Sequence, residues 1–241
     1  MSEKSGFNHL YWYSMGGNLI KQITSGAYEL KDFLGYAPEE GAFYYTSNEE
    51  SPMKQAVYKT DRKGRKIKLS QQSGMNHAQF STDMKYFMNR YTNLNTPTVI
   101  TLNDQKGQVL TTLIDNARLK QTLSTYQLPK EFFSFRTSNG TQLNGWIMKP
   151  ADFQPTKKYP VIQFQYSGPG SQQVLDAFGI SWETYMASQG YIIACVDGRG
   201  TGGRGAEFEK CTYLNLGVKE AEDQVETALY LGRLPYVDTN R

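Results

Sequence analysis

The 241 residues carry 26 basic and 23 acidic side chains, a net charge of +3 that is too small for a nucleic-acid footprint. The length gives room for one large domain or two smaller ones with a real core. The longest apolar runs fall well short of the ~18 residues of a membrane span, the opening "MSEKSGFNHL" lacks the apolar stretch of a signal peptide, and two cysteines, Cys195 and Cys211, make no disulfide framework.

Up to about Leu128 the chain repeats one plan. "HLYWYSMGGNLIKQITSG", "QAVYKTDRKGRKIKLSQQSG" and "PTVITLNDQKGQVLTTLIDN" each read as an alternating strand, a glycine turn and a second strand ending in a polar loop. Gly17, Gly64 and Gly107 mark the turns, 47 and 43 residues apart. Further strand pairs, "AFYYTSNEES" and "KYFMNRYTNLNTP", fall between them. Four strands every ~40–50 residues is the period of a β-propeller blade, so residues 1–128 read as about two and a half blades. An ordinary antiparallel sandwich is the other reading of the pattern. The basic run "KTDRKGRKIK" centres on Asp61-Arg62-Lys63-Gly64 and reads as a solvated hairpin turn rather than a polyanion site.

The second half changes period. "EFFSFRT" and "TQLNGWIMKP" form a hairpin across Ser138-Asn139-Gly140. "YPVIQFQY" and "YIIACVD" are continuous apolar runs of the kind found in buried parallel strands, separated by a helix in "SWETYMASQG" with Ser181 as its cap and Gly190 as its stop. "VKEAEDQVETALYLGRL" is the clearest helix, with Val218, Ala221, Val225, Ala228 and Leu229 on one face. Strand, helix, strand, helix predicts a doubly wound α/β sheet. After the last helix a crossover should deliver another parallel strand, so the chain is expected to be a piece of something longer.

"GTGGRG", Gly200 to Gly205, matches the G-x-G-x-x-G of a dinucleotide-binding turn. Such a turn needs a helix opening directly on its third glycine and an acid at the end of a second strand. "AEFEKCTYLNLG" has no clear helical start, and Asp223, at roughly the right distance, sits inside the strongest helix. The glycines therefore read as a tight turn, and no cofactor is expected. With His9 and His77 as the only histidines, both read as surface or strand-packing residues, and a zinc site is not expected.

"YPVIQFQYSGPGSQ", "SWETYMASQGYIIACVDGRGTGGRG" and "LGVKEAEDQVETALYLGRLPYVDTNR" closely resemble the dipeptidyl peptidase IV branch of the prolyl oligopeptidase family of serine peptidases, and "SGFNHLYWYS", "YYTSNEES" and "FSTDMKYFMNRYTN" fit its preceding blades. The resemblance implies the C-terminal blades of an eight-bladed propeller over residues 1–128 and the N-terminal part of an α/β-hydrolase domain over 129–241. It implies removal of dipeptides with proline or alanine second, by acyl transfer through a Ser-Asp-His triad. It also implies peptide substrates, no nucleic acid, a homodimer in the intact enzyme, and a periplasmic, secreted or cell-surface location. No G-x-S-x-G occurs in the 241 residues, so the triad is expected beyond Arg241 and this chain alone is expected to be inactive.

The family's amine-binding glutamate pair is not matched by Glu39-Glu40 or Glu49-Glu50, which read as solvated loop residues. One catalytic part is matched: Tyr166, at the carboxyl end of "VIQFQY" before the turn "SGPG", where the family's tyrosine donates to the oxyanion. A phenol is a neutral donor near pH 7, suited to that task. Trp182, Asp197 and Arg199 also match and read as structural. Another branch of the family, an acylaminoacyl peptidase or an endopeptidase, and a non-catalytic propeller protein with a degenerate hydrolase domain remain alternative readings.

Overall fold

The computed structural model describes residues 1–126, 128 and 130–240. They form two compact units, one of residues 1–120 with 175–178 and 203–207, the other of 121–174, 179–202 and 208–241. The boundary expected after Leu128 falls at Pro129, outside the described residues.

The first unit is built of antiparallel strands in chain order. β1 (Tyr11–Tyr13) and β2 (Leu19–Gln22) form a hairpin. β3 (Leu30–Ala37), β4 (Ala42–Ser47), β5 (Ala56–Asp61) and β6 (Lys66–Lys68) form one four-stranded meander. β7 (Met75–Phe80), β8 (Tyr86–Asn93), β9 (Thr96–Asp104) and β10 (Val109–Ile114) form a second, and no sheet closes on itself among the described residues. Gly17, Gly64 and Gly107 occupy the three expected turns at φ of 82°, 92° and 84°, a region that glycine enters without a Cβ clash.

Alternation along the strands places Tyr44 and Val57 with Leu69, Met84 and Phe87 in one core cluster, where the Tyr44 ring lies 4.7 Å from that of Phe80. Leu10, Ile23, Leu30, Phe43 and Tyr45 form a second cluster. The basic run is a turn, as expected, but a paired one. Asp61 accepts from the Lys63 and Arg65 amides and the Arg65 guanidinium. Lys59 pairs with Glu40, Lys66 with Glu49 and Lys68 with Glu50. Glu40, Glu49 and Glu50, expected to be simply solvated, are thus held by neighbouring strand lysines.

A short helix, α1 (Ala117–Leu123), with no buried residue, stands where a polar loop was expected. The second unit holds β11 (Lys130–Arg136), β12 (Gln142–Met148), β13 (Val161–Phe164), α2 (Trp182–Ser188) and β14 (Ile192–Asp197), followed by α3 (Ala206–Lys210), whose first residues belong to the first unit, and α4 (Val218–Gly232). The sheet order is β11-β12-β14-β13, with β11–β12 and β12–β14 antiparallel and β13–β14 parallel. β14 is buried along its whole length. β13 has the expected parallel pairing but is only half-buried, because β14 covers one of its edges and the other pairs with no strand among the described residues.

The two faces of this sheet follow from the period of two. Ile192 and Ala194 pack with Leu231 of α4, and Val196 lies in a cluster flanked by Tyr230, which stacks on Phe135 at 4.4 Å. On the other face Trp146 meets Phe164, which meets Trp182 of α2 edge-on at 5.3 Å. Two helix predictions need correction. Ser181 occupies the cap position of α2 but makes no side-chain capping bond, whereas Gly190 ends the helix at φ 91° as expected. In α4 the buried residues are Asp223, Thr227 and Leu231. The predicted apolar face of Val218, Ala221, Val225, Ala228 and Leu229 is exposed, because a buried ion pair rather than an aliphatic stripe anchors the middle of the helix.

Candidate active-site loop

The chain leaves the carboxyl end of β13 and runs through Tyr166 into "SGPGSQQV". Tyr166 is 64% exposed, and its hydroxyl makes no hydrogen bond among the described residues. Its ring lies over Gly168: a Cβ there would come within 3.0 Å of Cε1 and 3.1 Å of the phenolic oxygen. A side chain there would push the ring outward by a few tenths of an ångström.

The loop is braced from three directions. The Ser171 hydroxyl lies 2.6 Å from the Gly168 carbonyl oxygen and 3.0 Å from that of Tyr166, while the Ser171 amide donates to Gly168 at 3.0 Å. The Asp197 carboxylate at the end of β14 accepts from the Gln173 and Val174 amides at 2.9 and 2.8 Å. From the same sheet the Trp146 indole donates to the Gln173 carbonyl, so that Asp197 and Trp146 act as one brace. Asp197 thus has the structural role expected of it. Trp182, 46% exposed, stands against Phe164. Arg199 grips Asp223 through its own amide and its guanidinium at 2.7–3.0 Å, with Glu222 as a second acceptor at 3.1 Å.

"GTGGRG" supplies the third brace. The Gly202 amide donates to Ser171 at 2.9 Å, and a Cβ at Gly202 would lie 3.0 Å from the Gly170 carbonyl oxygen. One expectation about this turn was wrong: α3 does open directly after Gly205. Its first amides are nevertheless taken by protein acceptors, Gly205 by Glu29 at 2.8 Å and Ala206 by the Gly6 carbonyl at 2.8 Å. A carboxylate stands where a dinucleotide turn would offer its amides to pyrophosphate.

His9 is 1% exposed, hydrogen-bonded to Thr24 and the Gly26 carbonyl, and edge-on to Tyr28. His77 is exposed and contacts Gln55. Burial, with Asp197 second, pushes the Cys195 thiol up to about 12, and burial also holds the Lys130 ammonium below its ordinary value. Among the described residues no group of three His, Cys, Asp or Glu is placed to hold a metal, and no helix is long and apolar enough to cross a membrane. The site therefore offers one reactive feature, a free phenolic O–H on a rigidly held loop. Sequence reading singled out Tyr166 but missed Gly168, Ser171 and Gly202. The run of small residues in "SGPGS" was the available signal.

The model of the dipeptidyl peptidase IV N-terminal region matches residues 1–98, and that of the prolyl oligopeptidase family matches residues 178–241. Dipeptidyl-aminopeptidase B of Aspergillus niger is 34% identical over 98% of this chain and 27% of its own length. "Probable dipeptidyl-aminopeptidase B" of Arthroderma gypseum is 35% identical with the same coverage. The crystal structure of Porphyromonas gingivalis dipeptidyl peptidase 4 superposes on 100% of this chain and 34% of its own, with a TM-score of 0.96 and 49% identity. The fold is that of a serine peptidase family. The chain belongs to the prolyl oligopeptidase family, on its dipeptidyl peptidase IV-like branch. It spans 27% of the length of these curated relatives and 34% of the crystallised one.

Proposed function

We propose that these residues form part of a serine exopeptidase that releases N-terminal Xaa-Pro and Xaa-Ala dipeptides, and that Tyr166 stabilises the oxyanion of its acyl-transfer steps. In this reading the two meanders and the hairpin of residues 1–128 are C-terminal propeller blades. Residues 129–241 are the first part of an α/β-hydrolase domain, and the serine, aspartate and histidine of the triad lie elsewhere in the enzyme. The parallel bridge of Val237 to Tyr159, beside the free edge of β13, supports a sheet that continues there. The intact enzyme is a homodimer that works outside the cytoplasm.

The observation that carries the proposal is the exposed, unbonded Tyr166 hydroxyl at the carboxyl end of a parallel strand, on a loop held from three sides. A preorganised neutral donor stabilises charge that develops only in the transition state. In a full-length peptidase carrying these residues, Tyr166→Phe should lower kcat by roughly 10²–10³-fold, about 2.7–4 kcal/mol, with KM and Tm little changed. A well-folded Phe variant with near-normal kcat removes Tyr166 from the mechanism.

A further inference from the structure

The Tyr166 hydroxyl is useful only if the backbone beneath it stays still, and the structure shows what holds it. The Ser171 side chain reaches back to the tyrosine's own backbone. Its hydroxyl oxygen lies within hydrogen-bond distance of two carbonyl oxygens, those of Gly168 at 2.6 Å and Tyr166 at 3.0 Å. It thereby closes a ring from the tyrosine's peptide, through the turn, to residue 171. Gly168 fills the middle of this ring and leaves the aromatic side chain a surface to lie on. From outside, the Gly202 amide fixes Ser171 through its carbonyl at 2.9 Å.

We propose that Ser171 is a positioning residue for Tyr166, acting by tying the backbone of the Tyr166–Gly168 turn so that the phenol holds one orientation. The proposal rests on the oxyanion role given to Tyr166 above. A free serine on a mobile turn would satisfy its hydroxyl from water. Here it adds a second bond to the Gly168 carbonyl, which the Ser171 amide also holds, and reaches the Tyr166 carbonyl, whose peptide plane it ties to the turn. An oxyanion donor displaced by about 1 Å loses most of its effect on the transition state while substrate binding is little disturbed.

The test is a kinetic cycle in a full-length peptidase carrying these residues. Ser171→Ala should lower kcat about tenfold with KM nearly unchanged. Ser171→Thr, which keeps the hydroxyl, should restore most of the loss. In a Tyr166→Phe background the same Ser171→Ala change should cost nothing further, because the group it positions is gone. Gly168→Ala, which leaves the hydrogen bonds intact and removes the space under the ring, should imitate Ser171→Ala if that variant folds poorly. If Tyr166→Phe alone leaves kcat intact, the oxyanion reading fails. If Tyr166→Phe is impaired but Ser171→Ala is not, or costs as much without the phenol as with it, the positioning proposal is overturned.

Discussion

Gly202 packs its backbone onto that of Gly170, so closely that a methyl group on Gly202 would sit 3.0 Å from the Gly170 carbonyl oxygen. The obstacle is main chain, which cannot rotate aside as a side chain could. Gly202→Ala should therefore force the two loops apart and cost about 1–3 kcal/mol. Gly179 has nothing within 4 Å of its Cβ position, and Gly179→Ala should change stability by no more than ~0.5 kcal/mol. Thermal melts of the two variants side by side check this, and equal Tm values would contradict it.

Asp223 is fully buried, and both its oxygens are engaged by Arg199. These bonds push the guanidinium still further above its ordinary range. Asp223→Ala would strand a largely buried cation and should cost about 3–5 kcal/mol. Glu222, whose side chain is 55% exposed, meets the same guanidinium from the surface. Glu222→Ala should cost less than ~1 kcal/mol. Urea unfolding midpoints would separate the two, and a comparable loss for both would show that the buried pair is not the anchor.

The cysteines should differ sharply as nucleophiles. Cys195 is 0% exposed, and burial raises its thiol to about 12, so the reactive thiolate is scarce at pH 8. Cys211 is partly exposed. Iodoacetamide at pH 8 should label Cys211 in the folded protein and reach Cys195 only on unfolding, as peptide mass mapping would show. Prompt labelling of Cys195 would mean that β14 is not the buried centre of its sheet.

Asp61 provides a pH test of the β5–β6 turn. The Arg65 guanidinium, then the Arg65 amide, lower its carboxyl to about 2. A carboxyl lowered by folding stabilises the folded form fully above its unfolded value of ~4 and loses that contribution as pH falls through about 2. An NMR titration of the Asp61 carboxyl carbon should show its midpoint near 2, and Asp61→Asn should abolish the low-pH loosening of the hairpin. A midpoint at the ordinary value would mean the turn is open in solution.

The hairpins were legible because each carries two independent signals, alternation in the strands and a glycine where the turn demands positive φ. Asp61 to Gly64 shows both within a dozen residues. The buried side of α4 was not legible. Counting apolar residues at helical spacing selects Val218, Val225 and Leu229, while the sheet covers Asp223 and Thr227, polar residues whose burial depends on Arg199 and on the helix's own carbonyl at Asp223. A partner 24 residues away leaves no periodic trace. At the site, Tyr166 was found through a matched motif. Ser171 and Gly202 act through main-chain contacts, which residue type alone does not reveal.

The strand order β11-β12-β14-β13 also sets a timetable for the second sheet. The two meanders of the first unit join strands that are neighbours in sequence, and each can form as soon as its own residues leave the ribosome. β12 and β13, by contrast, are made first yet never touch as neighbours. The strand that separates them ends only at Asp197. Until then both wait with open edges, and the phenol-bearing loop that follows β13 has neither the Asp197 carboxylate nor the Gly202 amide to close on. Its geometry is therefore acquired only after β14 and the Gly202 turn have been made.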